Sequence, residues 1–212
     1  MKHASYLLLF LVLLLSGCSE QAEPSASAES KDAIEVPAYY DGYPKNPQVA
    51  DDRALQQVGQ KIRDSKGEME LKAVNLDSQT YNIGSIELTI REAKIVQFKP
   101  DYSLIDFYHS YTHEPEFDMV KLFVEIKNTS DEPLQFGPAA ILKTAADEMK
   151  LWEDDVFLEE LTGEITAGET KKGNLGFIIE NPDFDSLTLT TSDVFGMDNE
   201  KMEKAKEIEI SF

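Results

Sequence analysis

Apolar and polar positions change period three times along this chain of 212 residues. Tyr6 to Leu15 is an unbroken apolar run, preceded by Lys2 and His3 and followed by small residues and Cys18. Ten residues are too few to span a bilayer, which takes about 20 in a helix. A basic head, a short apolar run and small residues are the layout of a secretory signal peptide. Residues 19–35, SEQAEPSASAESKDAIE, hold little to bury, so they predict a disordered tether, with Tyr39, Tyr40, Tyr43, Pro44 and Pro47 extending the irregular stretch. From Asp51 to Lys66 the spacing turns helical. Ala54, Leu55, Val58 and Ile62 form one stripe, Asp51 and Asp52 suit the N-terminus, and Gly67 marks the stop.

Beyond Met69 the period is two, the mark of strands with one face buried. Met69, Leu71 and Ala73 alternate, as do Ile86, Leu88 and Ile90, with Ile95 and Phe98 following a bulge. Ile105, Phe107 and His109 predict a third strand. Val120, Leu122, Val124 and Ile126 form the clearest strand in the chain, and Asn128 to Pro133 the densest turn signal. Leu134 and Phe136, Ile141 to Lys143, Leu175 to Ile179, Leu187 and Leu189, and Ile208 to Phe212 complete the series. Val156 to Leu161 is apolar without a clear period, and Asn199 to Lys206 reads as a helical turn or two. Strands with polar turns and no crossover helices predict an all-β, antiparallel β-sandwich of 7–9 strands. The expected organisation is a signal peptide over 1–17, a lipidated N-terminus and tether over 18–48, a short helix over 49–68, and the sandwich over 69–212.

Composition narrows the function classes. The one cysteine is Cys18, so the folded part has no disulfide, cysteine metal site or cysteine nucleophile. Forty acidic residues against twenty basic ones give a net charge of −20. That argues against nucleic acid, whose binding rests on Lys and Arg neutralising phosphates, and against the body lying flat on anionic lipid. The acidity fits a solvated surface, and also fits cation capture or a basic partner.

Leu15-Ser16-Gly17-Cys18 resembles the lipobox of bacterial lipoproteins. The resemblance implies cleavage between Gly17 and Cys18, attachment of acyl chains to Cys18, and anchoring on the extracytoplasmic face of a cell membrane. The blocks Tyr81–Ile86, Lys121–Gly137 and Leu161–Phe177, in that order behind a lipobox, resemble the domain-of-unknown-function 4352 family over about residues 80–212. Its members are immunoglobulin-like domains frequent on surface lipoproteins of Gram-positive bacteria. The resemblance implies an immunoglobulin-like fold and a surface location, and it brings no catalytic residues. Asn128, Pro133 and Gly168 read unaided as turn-forming residues.

Candidate chemistry is sparse. His109 and His113, with Glu114 and Glu116 nearby, would share a helix face and chelate zinc. On the predicted strand they stand about 13 Å apart, too far for one ion unless a turn joins them. Glu153-Asp154-Asp155, Asp183 with Asp185, and Asp198-Asn199-Glu200 match no calcium loop and read as solvated turns. No serine lies in a Gly-x-Ser-x-Gly elbow. Trp152 reads as core or as packed under a loop, and the Tyr39, Tyr40, Tyr43 group as packed onto the domain. The expectation is therefore no catalytic residue, no bound metal and no cofactor. The expected function is a non-enzymatic, lipid-anchored protein whose domain binds an unidentified protein or envelope component. A ligand- or divalent-cation-binding lipoprotein serving transport or sensing is the alternative, with a wall-remodelling enzyme third.

Overall fold

Strand β4 (Ile86–Pro100) is the spine around which the other elements are arranged in the computed structural model, which describes residues 35–212. Its first half pairs with β3 (Gln79–Ile83) and its second half with β2 (Gly67–Asn75), which in turn pairs with β1 (Lys61–Asp64). Along its other edge runs β5 (Phe117–Asn128), followed by β10 (Thr170–Ile179). Two smaller sheets face this one. One is formed by β6 (Leu134–Phe136), β9 (Gly163–Ile165), β12 (Val194–Gly196) and β13 (Lys201–Glu203); the other by β7 (Ile141–Thr144), β8 (Met149–Leu151), β11 (Ser186–Thr190) and β14 (Glu207–Ser211). Every pairing is antiparallel, and the architecture is the all-β sandwich expected from the alternation, with fourteen short strands among the described residues instead of 7–9. The predicted signal peptide, Gly17, Cys18 and the start of the tether lie outside the described residues.

The main core lies between the large sheet and the two small ones. Val120, Leu122, Val124 and Ile126 of β5 point into it with Leu88, Ile90, Leu175 and Phe177. Gly168 turns at φ +71°, and the Asn128 carboxamide oxygen accepts the Ser130 N–H at 3.0 Å, as turn roles require.

One extra residue gives the large sheet its second buried face. Ile90 pairs with Val124 and Glu92 with Phe123, leaving Arg91 bulged out of the ladder. The bulge shifts the alternation by one. Ile86, Leu88 and Ile90 point into the main core, but past it Ala93 and Ile95 do so, while Glu92, Lys94, Val96 and Phe98 turn to the outer face. That face is covered at one end by Tyr108 and Phe157 and elsewhere by an N-terminal strap, residues 37–55, which seats Tyr40, Val49, Ala50 and Leu55 on it.

Four expectations are overturned. The helix over 49–68 is a 3-10 turn, Asp52–Ala54, followed by the β1–β2 hairpin. Gly59 at φ +86° breaks the stripe, and the Gln60 side chain captures the Gln56 and Gln57 N–H groups that a helix would use. Leu55 alone of the stripe is buried, and Val58 is exposed. The strand at Ile105 is the helix α1 (Ile105–Tyr108), led by an Asp101 carboxylate that accepts the Ser103 N–H at 3.0 Å. Its packed residues, Leu104, Phe107, Tyr108 and Tyr111, recur at helical spacing. The helical turn expected at Asn199–Lys206 is instead a left-handed Asn199 (φ +64°) and β13. Finally, residues 35–48, placed in the tether, belong to the folded unit that runs to Phe212.

Candidate functional site

Two arrangements of polar groups are built into this frame. One lies beneath the strap. The bulge at Arg91 brings Glu92 and Lys94 to the outer face beside Lys121 of β5, and the strap lowers Asp52 onto all three. The Lys121 Nζ lies 2.7 and 2.6 Å from the two Asp52 carboxylate oxygens and 3.4 Å from Glu92. The Lys94 Nζ lies 2.7 Å from Glu92 and 3.0 Å from Asp52. Tyr39 and Tyr40 donate their hydroxyls to Glu92 at 2.6 and 2.5 Å, and both rings pack against Phe123. Burial pushes the Tyr40 hydroxyl far above its ordinary range, reinforced by the Asp52 and Glu92 charges, so it stays a donor. Burial alone would raise the Asp52 carboxyl; the Lys121 and Lys94 ammoniums more than offset this and hold it below the usual carboxylate range.

Two ammoniums and two carboxylates balance in charge, and all four side chains are buried. A substrate has no access to them. Their chemistry is that of a clamp, fastening the strap to the sheet, and a charge left unpaired in such a place is costly.

The second arrangement is open to solvent. At one flank of the sandwich, β10 ends the large sheet and β8 and β9 end the two small ones. A groove of about 930 Å³ opens there, a volume within the range of ligand sites. Its floor is Leu161, Leu175 and Phe177, and its rim carries Trp152 and Leu158. Both rim residues are more than half exposed, and Met149 and Leu151 on the adjoining edge strand β8 are also exposed. Trp152 is thus neither core nor covered by a loop, as its apolar neighbours had predicted. Of the ten large hydrophobic residues exposed among the described residues, these four fall within ten consecutive positions. Contiguous exposed apolar surface is the kind that partners cover, whereas scattered exposed apolar residues need no explanation.

The loop that forms the rim is strained. Leu158 and Glu160 both take left-handed backbone, at φ +55° and +51°, at about 1–2 kcal/mol each for a residue with a side chain. The strap holds that conformation. Glu159, between them, accepts the Tyr43 hydroxyl, the Asn46 amide at 2.7 Å and the Asn174 N–H at 2.7 Å, and Asn46 also donates to the Phe157 carbonyl at 3.2 Å. The strap therefore sets the shape of the groove wall. Tyr39, Tyr40 and Tyr43 pack onto the domain as their sequence suggested.

Charge at the rim is one-sided. Glu153, Asp155, Glu159, Glu160 and Glu164 line the groove against Lys171 alone. Asp155 accepts N–H groups from Gly176 at 2.8 Å and Phe157 at 3.1 Å, yet burial pushes its carboxyl up to about 6. A carboxyl raised in the folded state stabilises the fold most below its ordinary value near 3.8, and that contribution is lost as pH rises through about 6. Asp155→Asn keeps an acceptor for both N–H groups and removes the charge. It is expected to raise the melting temperature at pH 8 by roughly 2–8 °C and to change it little at pH 4, as paired thermal melts will read.

The other acidic residues singled out in the sequence form no shared site: Asp154 accepts the Leu151 N–H, and the Asp198 carboxylate accepts the Glu200 N–H in an exposed turn. His109 and His113 come together on the turn that follows α1, the one case the strand reading had left open. The groove itself was missed, because Val156–Leu161 has no period and only the tertiary structure shows which of its apolar side chains stay outside.

One relative is close enough to decide kinship. The uncharacterized protein YdhF of Bacillus subtilis (strain 168) is 38% identical over 236 aligned positions, covering 97% of this chain and 98% of the relative. The chain belongs to the YdhF family. No family model matches it. Among solved structures, a functionally unknown protein from Listeria monocytogenes EGD-e superposes with a TM-score of 0.51 at 16% identity, over 69% of this chain and 87% of that one. A conserved hypothetical protein from Bacillus anthracis aligns at a TM-score of 0.38 and 17% identity, over 56% and 90%. The Listeria likeness shows that this chain shares its fold with a more distant protein.

Proposed function

We propose that this YdhF-family protein is a non-enzymatic, lipid-anchored binding protein on the extracytoplasmic face of the membrane. Its immunoglobulin-like domain, of the 4352 type that its strand-turn blocks resemble, docks an extended protein segment in the groove beside β8 and β10. The observation that carries this reading is the exposure of Trp152 and Leu158 on the acidic rim of an apolar floor, with Met149 and Leu151 exposed on the adjoining strand β8. An exposed apolar group of this kind fits a partner's side chain, and the surplus of carboxylates fits Lys or Arg on either side of it. The edge strand β8 has one paired neighbour, β7, so an incoming strand has a backbone to pair with. The anchor rests on the Leu-Ser-Gly-Cys18 sequence behind its apolar run, and among the described residues no helix is long and apolar enough to cross a membrane.

A panel of extended peptides tests the groove. Peptides with an aromatic or aliphatic residue flanked by Lys or Arg are expected to bind the detergent-solubilised chain more tightly than Glu-flanked counterparts. Trp152→Ala, or Glu153→Lys combined with Glu164→Lys, should weaken binding about tenfold or more. All three rim residues are exposed, so folding should survive. Equal binding of both peptide classes, or binding indifferent to these variants, would refute the groove as the docking site.

A further inference from the structure

We infer that His109 and His113 form a two-imidazole site for a divalent transition-metal ion of the copper, nickel or zinc kind, on the exposed turn that follows α1. The inference is independent of the groove. It starts from residues 102–111, where a 3-10 turn (Tyr102–Leu104), α1 and a following turn stand where alternation predicted a strand. The His109 N–H donates to the Ile105 carbonyl at 2.9 Å and the Thr112 N–H to the Tyr108 carbonyl at 2.9 Å. His109 caps α1 and His113 follows the turn, which brings the two imidazole centroids to 5.7 Å with their planes at 69°. Imidazole nitrogens bind these ions at about 2.0–2.1 Å, which sets two rings on one ion about 5 Å apart. The observed separation is within reach of small side-chain rotations, and both side chains are exposed and free to make them.

The backbone beneath the pair is fixed. Tyr108 is buried, its hydroxyl donates to the Gln48 carbonyl at 3.0 Å, and its ring packs on Phe98 and Phe117. Phe107 and Tyr111 pack against the same cluster. Binding therefore orders two side chains and leaves the loop as it is, which keeps the entropic cost low. The net charge of −20 raises the local cation concentration over the whole surface.

Imidazole suits copper, nickel and zinc, whereas calcium and magnesium prefer oxygen ligands. Among the described residues no group of three or more His, Cys, Asp or Glu side chains gathers to enclose an ion. The pair would thus hold the metal from one side, with water or a donor from another molecule completing the coordination.

Copper(II) tests the site, since it binds such ligands most tightly of the three. The chain beginning at Cys18, which lacks the copper-chelating Met1-Lys2-His3 amino terminus, is solubilised in detergent at neutral pH, titrated with copper(II) and followed by electron paramagnetic resonance. The expected spectrum carries nitrogen couplings from two imidazoles on one ion. His109→Ala and His113→Ala should each weaken binding about tenfold or more and leave a one-imidazole spectrum, with circular dichroism unchanged. No binding, a one-imidazole spectrum in the unaltered chain, or binding that neither variant changes would overturn the site.

Discussion

Replacing Lys121 with methionine is expected to lower the melting temperature by roughly 6–20 °C, the equivalent of about 3–5 kcal/mol for one half of a buried ion pair. The Lys121 ammonium is wholly buried and touches both Asp52 oxygens, Glu92 and the Tyr40 hydroxyl. Without it, two buried carboxylates share the Lys94 ammonium. The strap should loosen as well, since Asp52, Tyr39 and Tyr40 all meet the sheet through this cluster. Proteolysis in the native state should then favour residues 37–55. Adding Asp52→Asn restores charge balance, with Glu92 and Lys94 still paired at 2.7 Å, so the double variant should lose less than the two single losses combined. Additive losses would mean that Lys121 acts through packing alone. In the unaltered chain the clamp should persist through mild acid. Asp52 is held below its ordinary value, so its contribution is complete above about 3.8 and is lost only as pH falls through the lower, folded value.

Val124→Asp should abolish cooperative folding. Val124 lies at the centre of the main core, fully buried, opposite Ile90 on one side and Gly173 on the other. The buried lysines among the described residues, Lys94 and Lys121, lie on the opposite face of the sheet, so a carboxylate there must stay unpaired or bind a proton at a cost of several kcal/mol. That is a large share of the 5–15 kcal/mol by which a domain is usually stable. A substitution on the other parity, Lys127→Gln, falls on an exposed position of the same strand and should change stability by about 0.5 kcal/mol or less. A thermal melt of Val124→Asp that matches the unaltered chain would mean that this face of β5 is not the core.

These two residues mark the limits of what the sequence conveys. Val124 sits in a run whose period of two shows which side chains are inward, and strands β4, β5, β10 and β14 were legible for that reason. Lys121 and Lys94 occupy polar positions of the same two strands and look solvated, because nothing local announces that residues 37–55 will cover them. Where two periods compete, the local signal misleads. Ile105, Phe107 and His109 alternate, yet Leu104, Phe107, Tyr108 and Tyr111 satisfy the helical spacing that the aromatic cluster rewards. The stripe from Ala54 to Ile62 is helical in spacing but is cut by Gly59. The groove was illegible for a related reason. Trp152 and Leu158 are apolar residues that the fold leaves outside, and hydrophobicity alone assigns them inside.

The central claim is that a groove on a membrane-tethered domain holds a protein segment, and crosslinking in intact membranes tests it most directly. A photoreactive phenylalanine is placed at Leu158 of the full chain, or at the exposed Val58 as a control, and the crosslinked partner segment is sequenced by mass spectrometry. A discrete adduct from position 158, at an apolar residue flanked by Lys or Arg, is the expected result. The adduct should be absent from position 58, be lost with Glu153→Lys and Glu164→Lys, and leave the membrane fraction in a Cys18→Ser chain. An adduct pattern common to both positions, or none from position 158, would contradict it.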